Sequence, residues 1–354
     1  GLGIVHNEQH RIAPNPTNNM SDLAGSPKFA NFNITDFTYT TVDDTPIEAS
    51  LLIPKTLLES PHRSKPAPLA TRFHGGFLVT GHRLYADWYP QFILDFCQHH
   101  SAVVITVDYR LLPEAKGSEI LHDVKAFYAW LFKPGNLSSL LPAGVEVDID
   151  NLLVSGESAG GYLAFMSALI APEAIKAVVM HYPMLDLRAP HYTQAYVKHI
   201  FEPPVPQIPR QVLDDFLANL KGDEVVTSAV PLARVPLAMS MVQQGHFEEL
   251  FGSERSLYPI DVLDDGVVNE SSRLPALWIL HGKQDTAVPV EGTHKFVEKL
   301  REKVPGVKVH VTIEDGEHGF DNHAAGGGQG ATLETAWVKE GVEFVEKFWP
   351  AKGT

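Results

Sequence analysis

Residues 151–165, with the sequence NLLVSGESAGGYLAF, constrain the fold more than any other segment of the chain. The apolar run that ends at Ser155 predicts a buried strand, and the small and apolar residues from Ala159 onward predict a helix. The chain between them must turn sharply, and the glycines two residues before and two residues after Ser158 leave room for that turn. The pattern is typical of a nucleophile elbow, in which a serine hydroxyl projects above a sheet at the start of a helix.

Buried strands alternate with helices on both sides of this turn, which predicts an α/β fold with a mostly parallel central sheet flanked by helices. Two alternating runs, 36–42 and 47–53, are joined by Asp-Asp-Thr-Pro and indicate a hairpin. Short apolar runs predict further strands at 69–73, 102–107, 177–182, 276–280 and 307–313. Helices are expected near 85–99, 120–132, 294–303 and 333–348.

The alternation is interrupted between residues 186 and 274, where prolines and amphipathic segments occur without strand patterns. We predict that 186–274 forms a mainly helical cap inserted between the two parts of one core, 36–185 and 275–354. Residues 1–35, rich in Asn, Pro and Ser, are expected to form an irregular arm that packs on another part of the protein and covers a site or an edge.

Composition narrows the range of partners and locations. The chain has 43 acidic residues against 28 Lys and Arg, a formal net charge of −15, which argues against nucleic acid and anionic membrane surfaces as partners. Its single cysteine, Cys97, excludes an internal disulfide. Because no signal peptide and no membrane span is visible, we expect a cytoplasmic protein. The start at Gly1 leaves open an upstream targeting peptide that processing has removed.

A glycine pair follows the strand predicted at 69–73, in a His-Gly-Gly-Phe segment that begins at His74. Adjacent glycines let the backbone turn with its N–H groups pointing into a cavity, as an oxyanion-binding loop requires. A turn that merely ends the strand is the alternative for this pattern taken alone. Together with the elbow, the pattern favours the N–H groups of Gly75, Gly76 and Ala159 as an oxyanion hole.

Two more residues complete a catalytic set with Ser158. Asp285 follows the strand predicted at 276–280, and His318 follows the strand predicted at 307–313. Reactive groups in open α/β sheets gather at the carboxyl ends of strands, so these side chains can converge. Their order along the chain, Ser then Asp then His, is that of hydrolase sheets. His318 would take the serine proton, and Asp285 would fix the tautomer of the imidazole.

Other titratable residues fit these roles less well. Glu157 adjoins Ser158 on the turn, where its side chain points away, and is expected to make structural hydrogen bonds. His310 falls within a strand pattern, and His323 lies in a Gly-rich loop. Three acidic residues precede the strand that a catalytic acid should follow: Asp261, Asp264 and Asp265.

No metal or phosphate site is predicted. The remaining histidines, including His99, His100 and His181, lack metal-ligand spacing. The Gly-rich segment 326–330 lacks the Lys-Ser/Thr pair of a phosphate-binding loop, so we expect a connector there.

These motifs together resemble the α/β-hydrolase family of hormone-sensitive-lipase-like carboxylesterases over residues 69–349. The resemblance rests on the His-Gly-Gly segment, on Asp-Tyr-Arg-Leu followed by Pro-Glu between 108 and 114, on the elbow, and on Asp285 and His318. The chain departs from the family pattern at Phe77, where a third glycine is usual, and at Glu157, where Asp is usual. Phe77 would narrow the site beside the oxyanion donors.

The resemblance implies a serine carboxylic-ester hydrolase that needs no cofactor and acts on a small-molecule ester through an acyl-enzyme. It further implies that the N-terminal arm and the 186–274 insertion form the cap and set specificity. Phe77 and Glu157 would contact the substrate. Apolar side chains that would line the pocket, or alternatively pack the cap itself, are Tyr192, Tyr196, Phe201, Phe216, Met239, Met241, Phe247 and Leu250.

Three alternatives stay open at this point. A thioesterase or lactonase of small-molecule, polyketide-like metabolism would share the same triad, as would a hydrolase of peptide or carbon–carbon bonds. A non-catalytic ligand receptor on the same fold is an alternative of another class, although the presence of His318 argues against it. The sequence leaves the acyl and alcohol preferences and a homodimeric state undecided.

Overall fold

An eight-stranded sheet forms the centre of the protein in the computed structural model, which describes residues 20–60, 65–322 and 330–352. The strands are β1 (Phe32–Val42), β2 (Thr45–Pro54), β3 (Ala67–Phe73), β4 (Val103–Val107), β5 (Val147–Glu157), β6 (Ile175–His181), β7 (Ala276–Gly282) and β8 (Val309–Glu314). Their order across the sheet is β1-β2-β4-β3-β5-β6-β7-β8. β2 pairs antiparallel with both β1 and β4, and the other neighbours pair in parallel, which confirms the predicted fold class.

Helices cover both faces of this sheet. They are α1 (Lys55–Glu59), α2 (Gln91–His99), α3 (Gly117–Phe132), α4 (Ala159–Ile170), α5 (Pro190–Thr193), α6 (Arg210–Ala218), α7 (Pro231–Gln243), α8 (Phe247–Phe251), α9 (Pro259–Asp264), α10 (Val290–Lys303) and α11 (Ala336–Glu346). Short 3₁₀ helices lie at Met20–Gly25, Pro27–Phe29, Ala86–Trp88, Ser138–Leu140 and Arg255–Leu257. Within the described ranges, no helix has the length and apolar composition that crossing a bilayer needs.

The central strands are apolar on both faces because each face has its own core. In β5, Leu152 and Val154 pack with α3, α4 and α10, whereas Leu153 between them packs with α2 and α11. Every residue of β3, β4 and β7 is buried. This double burial explains why these strands have continuous apolar sequences instead of alternating ones.

The hairpin at the edge of the sheet is tighter than predicted. Asp43 and Asp44 both have positive φ, +46° and +65°, as a two-residue turn of the primed type requires. The strands therefore pair up to Val42 and Thr45 at the turn, and pairing continues to Phe32 opposite Pro54 at the other end.

The start of α2 and the end of the arm are among the boundaries that differ from the sequence-based expectation. The helix expected over 85–99 begins only at Gln91, because Pro90 stands at its N-cap and Ala86–Trp88 forms a separate 3₁₀ turn. The described part of the arm, 20–35, contains two 3₁₀ turns and the start of β1, and Phe29 is buried against the α2 side of the sheet.

Between β6 and β7 the chain forms α5 to α9 and adds no strand to the sheet. An isolated bridge joins Ala229 of this segment to Gly81. A segment of short helices without strands agrees with a helical cap. The first and last residues of this cap, 186 and 274, stay a prediction. We call residues 186–274 the cap below.

Candidate active site

Ser158 lies at the turn between β5 and α4. Its backbone has φ +58° and ψ −115°, a conformation that non-glycine residues rarely adopt and that is concentrated at functional sites. Its N–H donates to the His181 carbonyl at 2.8 Å. A Cβ atom on Gly156 would lie 2.0 Å from the Gly160 oxygen, and one on Gly160 would lie 1.9 Å from the Phe73 oxygen. The turn therefore closes only with glycine at both positions.

The loop after β3 brings the predicted glycine pair to Ser158. A Cβ atom on Gly75 would lie 2.8 Å from the Glu157 oxygen, and Gly76 has φ +114°. Both glycines line the same cavity as Ser158. Ala159 is the first residue of α4, so its N–H has no partner within the helix.

His74 supports this loop through contacts with Gly75 and Tyr109. The sequence did not indicate this role. The ring stacks on Tyr109 with centroids 4.5 Å apart, and Nδ1 lies 2.7 Å from the Gly75 oxygen. The Tyr109 hydroxyl donates to the His74 carbonyl at 2.6 Å. Burial lowers the pKa of His74 to about 3, so the imidazole is neutral at physiological pH.

Asp285 and His318 meet across the loops that follow β7 and β8. Oδ2 of Asp285 lies 2.8 Å from Nδ1 of His318, and Oδ1 accepts the N–H groups of Ala287 and Val288 at 2.9 and 2.8 Å. Burial by itself raises the pKa of Asp285. The charge on His318 and hydrogen bonds from His281 and His318 outweigh burial and hold this pKa well below its ordinary value.

Two neighbours that the sequence analysis missed join these loops. The Glu317 carboxylate accepts the N–H of Thr286 at 2.6 Å and the N–H of His318 at 2.8 Å, and so ties the two loops together. His281 places Nε2 3.2 Å from Asp285. Neither residue belongs to a recognisable motif, so only the fold identifies them.

Glu157 forms a buried ion pair with Arg72 behind the elbow. Nε of Arg72 donates to both carboxylate oxygens at 3.1 and 3.2 Å, and the guanidinium lies 3.9 Å from the centre of the Tyr89 ring. Both charged side chains are at most 4% exposed. These contacts fit the structural hydrogen-bonding role expected for Glu157, which also lines the cavity.

The cavity above Ser158 has a volume of about 400 Å³. Only 4% of Ser158 is exposed, because the residue lies at the floor of this cavity. His318 borders the same space. Of the other residues considered from the sequence, Phe77, Glu157, Phe201 and Met239 line it; further lining residues are Thr80, Tyr85, Asp87, Trp88, Tyr182, Val205, Val235, Ala238 and Gly319.

The other aromatic residues proposed from the cap lie elsewhere. Tyr192 and Phe247 pack against each other with ring centroids 5.6 Å apart, and both are buried in the main hydrophobic core outside the cavity lining. Tyr196 is 47% exposed and lies under the Lys198 ammonium, and Phe216 lies under the Arg234 guanidinium. Met241 and Leu250 are also outside the cavity lining. Apolar character alone did not separate cap packing from cavity lining.

The competing acids and histidines are engaged in other contacts. Asp261 binds Arg188 at 2.6 Å, Asp265 binds Arg255 at 2.8 Å, and Asp264 binds Lys299. His310 stacks on Phe344 with centroids 5.5 Å apart. His323 and most of the 326–330 segment lie outside the described residues.

In the described part of the chain, one group of side chains has the composition of a metal site. His99, His100 and Glu346 place possible ligand atoms within 4.8 Å of one another. Glu346 comes from α11, so spacing along the sequence does not reveal the group. None of the three lines the cavity above Ser158.

Comparison with known proteins identifies the family of this chain. A family model described as alpha/beta hydrolase fold matches residues 71–248. The chain is 33% identical to probable carboxylesterase M8 of Phoma sp. over 93% of this chain and 100% of the relative. It is 32% identical to probable carboxylesterase clz11 of Cochliobolus lunatus over 54% of this chain and 90% of the relative.

A solved structure shares the fold at lower identity. A structure from a study of two fungal esterases of Rhizomucor miehei matches with a TM-score of 0.57 and 21% identity, over 92% of this chain and 87% of that one. The sequence-based resemblance is thus confirmed: the chain belongs to the α/β-hydrolase family, among its hormone-sensitive-lipase-like carboxylesterases.

Proposed function

We propose that this carboxylesterase-type hydrolase cleaves a small-molecule ester with Ser158 as nucleophile, His318 as general base and Asp285 as the residue that orients His318. The observation that carries the proposal is the 2.8 Å contact between Asp285 and Nδ1 of His318, beside a cavity that His318 and Ser158 line together. With Nδ1 bound to the carboxylate, Nε2 is the nitrogen left to accept the serine proton.

The reaction then follows from the positions of these groups. The Ser158 oxygen attacks the ester carbonyl while its proton passes to His318, and the oxyanion accepts hydrogen bonds from N–H groups of Gly75, Gly76 and Ala159. Each such donor contributes about 3 kcal/mol to transition-state stabilisation. His318 returns the proton to the leaving alcohol, and water activated by the same imidazole releases the acid from the acyl-enzyme.

Removal of the serine hydroxyl tests the proposal. Ser158→Ala should abolish hydrolysis of p-nitrophenyl butyrate and labelling by a serine-directed phosphonate, while the melting temperature stays near that of the wild type. Ser167→Ala is the matched control, because its hydroxyl donates to the Leu163 carbonyl within α4, away from the cavity. Wild-type turnover in Ser158→Ala would contradict the assignment.

A thioesterase or lactonase would use the same groups, since both reactions pass through an acyl-enzyme. Turnover of matched esters, lactones and thioesters therefore decides among them by the ratio of their kcat/KM values. A non-catalytic receptor would bind such compounds without releasing acid, and the phosphonate would leave its serine unlabelled.

A further inference from the structure

Asp321, three residues after His318, carries a buried carboxyl group that has no role in the mechanism proposed above. Its Oδ1 accepts the Tyr182 hydroxyl at 2.9 Å, and its Oδ2 lies 2.6 Å from Nδ1 of His181. All three residues are at most 3% exposed. The Tyr182 hydroxyl donates to this carboxyl group, and the imidazole of His181 is its second partner.

The two partners of Asp321 are also the neighbours of the catalytic groups. The carbonyl of His181, the last residue of β6, accepts the N–H of Ser158 at 2.8 Å. The ring of Tyr182 lies 4.5 Å from the ring of His318 and lines the cavity. Asp321 therefore contacts one residue that holds the nucleophile and one that packs on the base.

Tyr182 occupies a backbone conformation that its neighbours must maintain. Its φ of +38° is a genuine outlier for an aromatic residue, and such strain persists only where the surroundings determine it. Its N–H donates to the Leu280 carbonyl at 2.6 Å, and its hydroxyl is held by Asp321. The ring therefore has a fixed place between the sheet and His318.

We propose that Asp321 is a positioning residue for catalysis: by binding His181 and Tyr182 it ties the loop that carries His318 to the strand end that holds Ser158. This inference rests on the function proposed above. Its consequence is that the distance between serine and imidazole depends on a carboxylate that touches neither substrate nor reacting atoms. A displacement of 1 Å in a catalytic group costs on the order of 10²-fold in rate.

Two variants of Asp321 test this inference against a purely structural role. Asp321→Ala should lower kcat by about 10²-fold with KM within about twofold, and should slow phosphonate labelling of Ser158 by the same factor. Asp321→Asn keeps an oxygen for Tyr182 and should recover kcat to within about tenfold of wild type. Asp123→Ala is the matched control, since Asp123 is a buried carboxylate bound to Arg110 outside the cavity. It should lower the melting temperature and leave kcat unchanged.

If Asp321→Ala does not fold, Tyr182→Phe tests the same role. This variant removes only the hydroxyl that donates to Asp321 and leaves the ring beside His318. We expect kcat to fall by about three- to tenfold, with KM unchanged. A folded Asp321→Ala or Tyr182→Phe with wild-type kcat, or a loss confined to KM, would overturn the positioning role. The comparison of the wild type with Ser158→Ala tests the proposed function independently. If Ser158→Ala is inactive while Asp321→Ala keeps the wild-type kcat, only the positioning role of Asp321 is contradicted.

Discussion

The core and the cap bury their residues to different degrees. In the core, β3, β4 and β7 are buried along their whole length, and the glycines around Ser158 have backbone atoms against them. The cap consists of short helices, and one of them, α7, contains Pro236. All the large apolar residues that are exposed in the described ranges lie in the cap: Tyr196, Val197, Val212 and Val267.

This difference implies that the core determines the chemistry and that the cap determines the selectivity. The residues of the proposed triad, Ser158, Asp285 and His318, all lie on turns and loops of the core. The cap supplies only apolar walls to the cavity: Phe201, Val205, Val235, Ala238 and Met239. Changes in the core should therefore abolish activity, whereas changes in the cap should alter which ester is preferred.

The largest effect is expected from Gly160→Ala. The new methyl would lie 1.9 Å from the Phe73 carbonyl oxygen, which belongs to β3 and cannot move without disrupting the sheet. We expect a loss of more than about 4 kcal/mol in the free energy of unfolding, or no soluble protein. Gly266→Ala in the cap has open space around it and φ of +68°, and should cost about 1 kcal/mol. Comparable stability of the two variants in thermal denaturation would remove the contrast between core and cap.

A smaller effect on stability is expected from the neutral histidines of the core. Burial lowers the pKa of His82 to about 3, below its value of about 6.5 in an unfolded chain. The unfolded chain therefore binds this proton first, and stability is lost as pH falls from about 6.5 toward 3. His82→Asn should flatten the dependence of the unfolding free energy on pH, between pH 6 and 4, by about 1.4 kcal/mol per pH unit.

Urea denaturation at several pH values measures this slope. Asn offers the Leu84 N–H an acceptor in place of Nδ1 of His82, which accepts it at 2.9 Å. Gln98→Asn, a partly exposed change without a titrating group, is the control. An unchanged slope in His82→Asn would show that this histidine is protonated in the folded state.

The clearest effect on selectivity, with a modest loss of stability, is expected from Met239→Ala. Met239 lines the cavity from α7, so its truncation should raise the kcat/KM ratio of octanoate to acetate p-nitrophenyl esters by about tenfold. Met241→Ala is the matched control on the same helix, because Met241 is equally buried but outside the cavity. Both should lose about 2 kcal/mol of stability. An equal shift of selectivity in both would assign the effect to the cap as a whole.

Sequence patterns predicted the sheet well because a strand that is buried on both faces has a continuous apolar sequence. A buried strand appears in the sequence as a short apolar run, as in the run ending at Ser155 and those over 102–107 and 276–280. The tight turn appears as the glycines beside Ser158. Helix ends were less accurate where a proline intervened, as at Pro90. Of the cap residues proposed to line the pocket, Phe201 and Met239 border the cavity above Ser158 and the others do not. Sequence cannot separate the two groups, because a residue that faces a cavity and one that faces a neighbouring helix are both apolar.

The sequence by itself determined an α/β-hydrolase chain with a serine on a strand-to-helix turn, since this turn needs glycines at fixed spacing. It also indicated an acid and an imidazole at the ends of later strands, because each residue follows an apolar run that predicts a strand. Only the tertiary structure decided what holds these groups in place: His74 under the glycine loop, Glu317 between two loops, and Asp321 against Tyr182. Those partners lie on separate segments, and hydrogen bonds between distant segments leave no periodic pattern in either one.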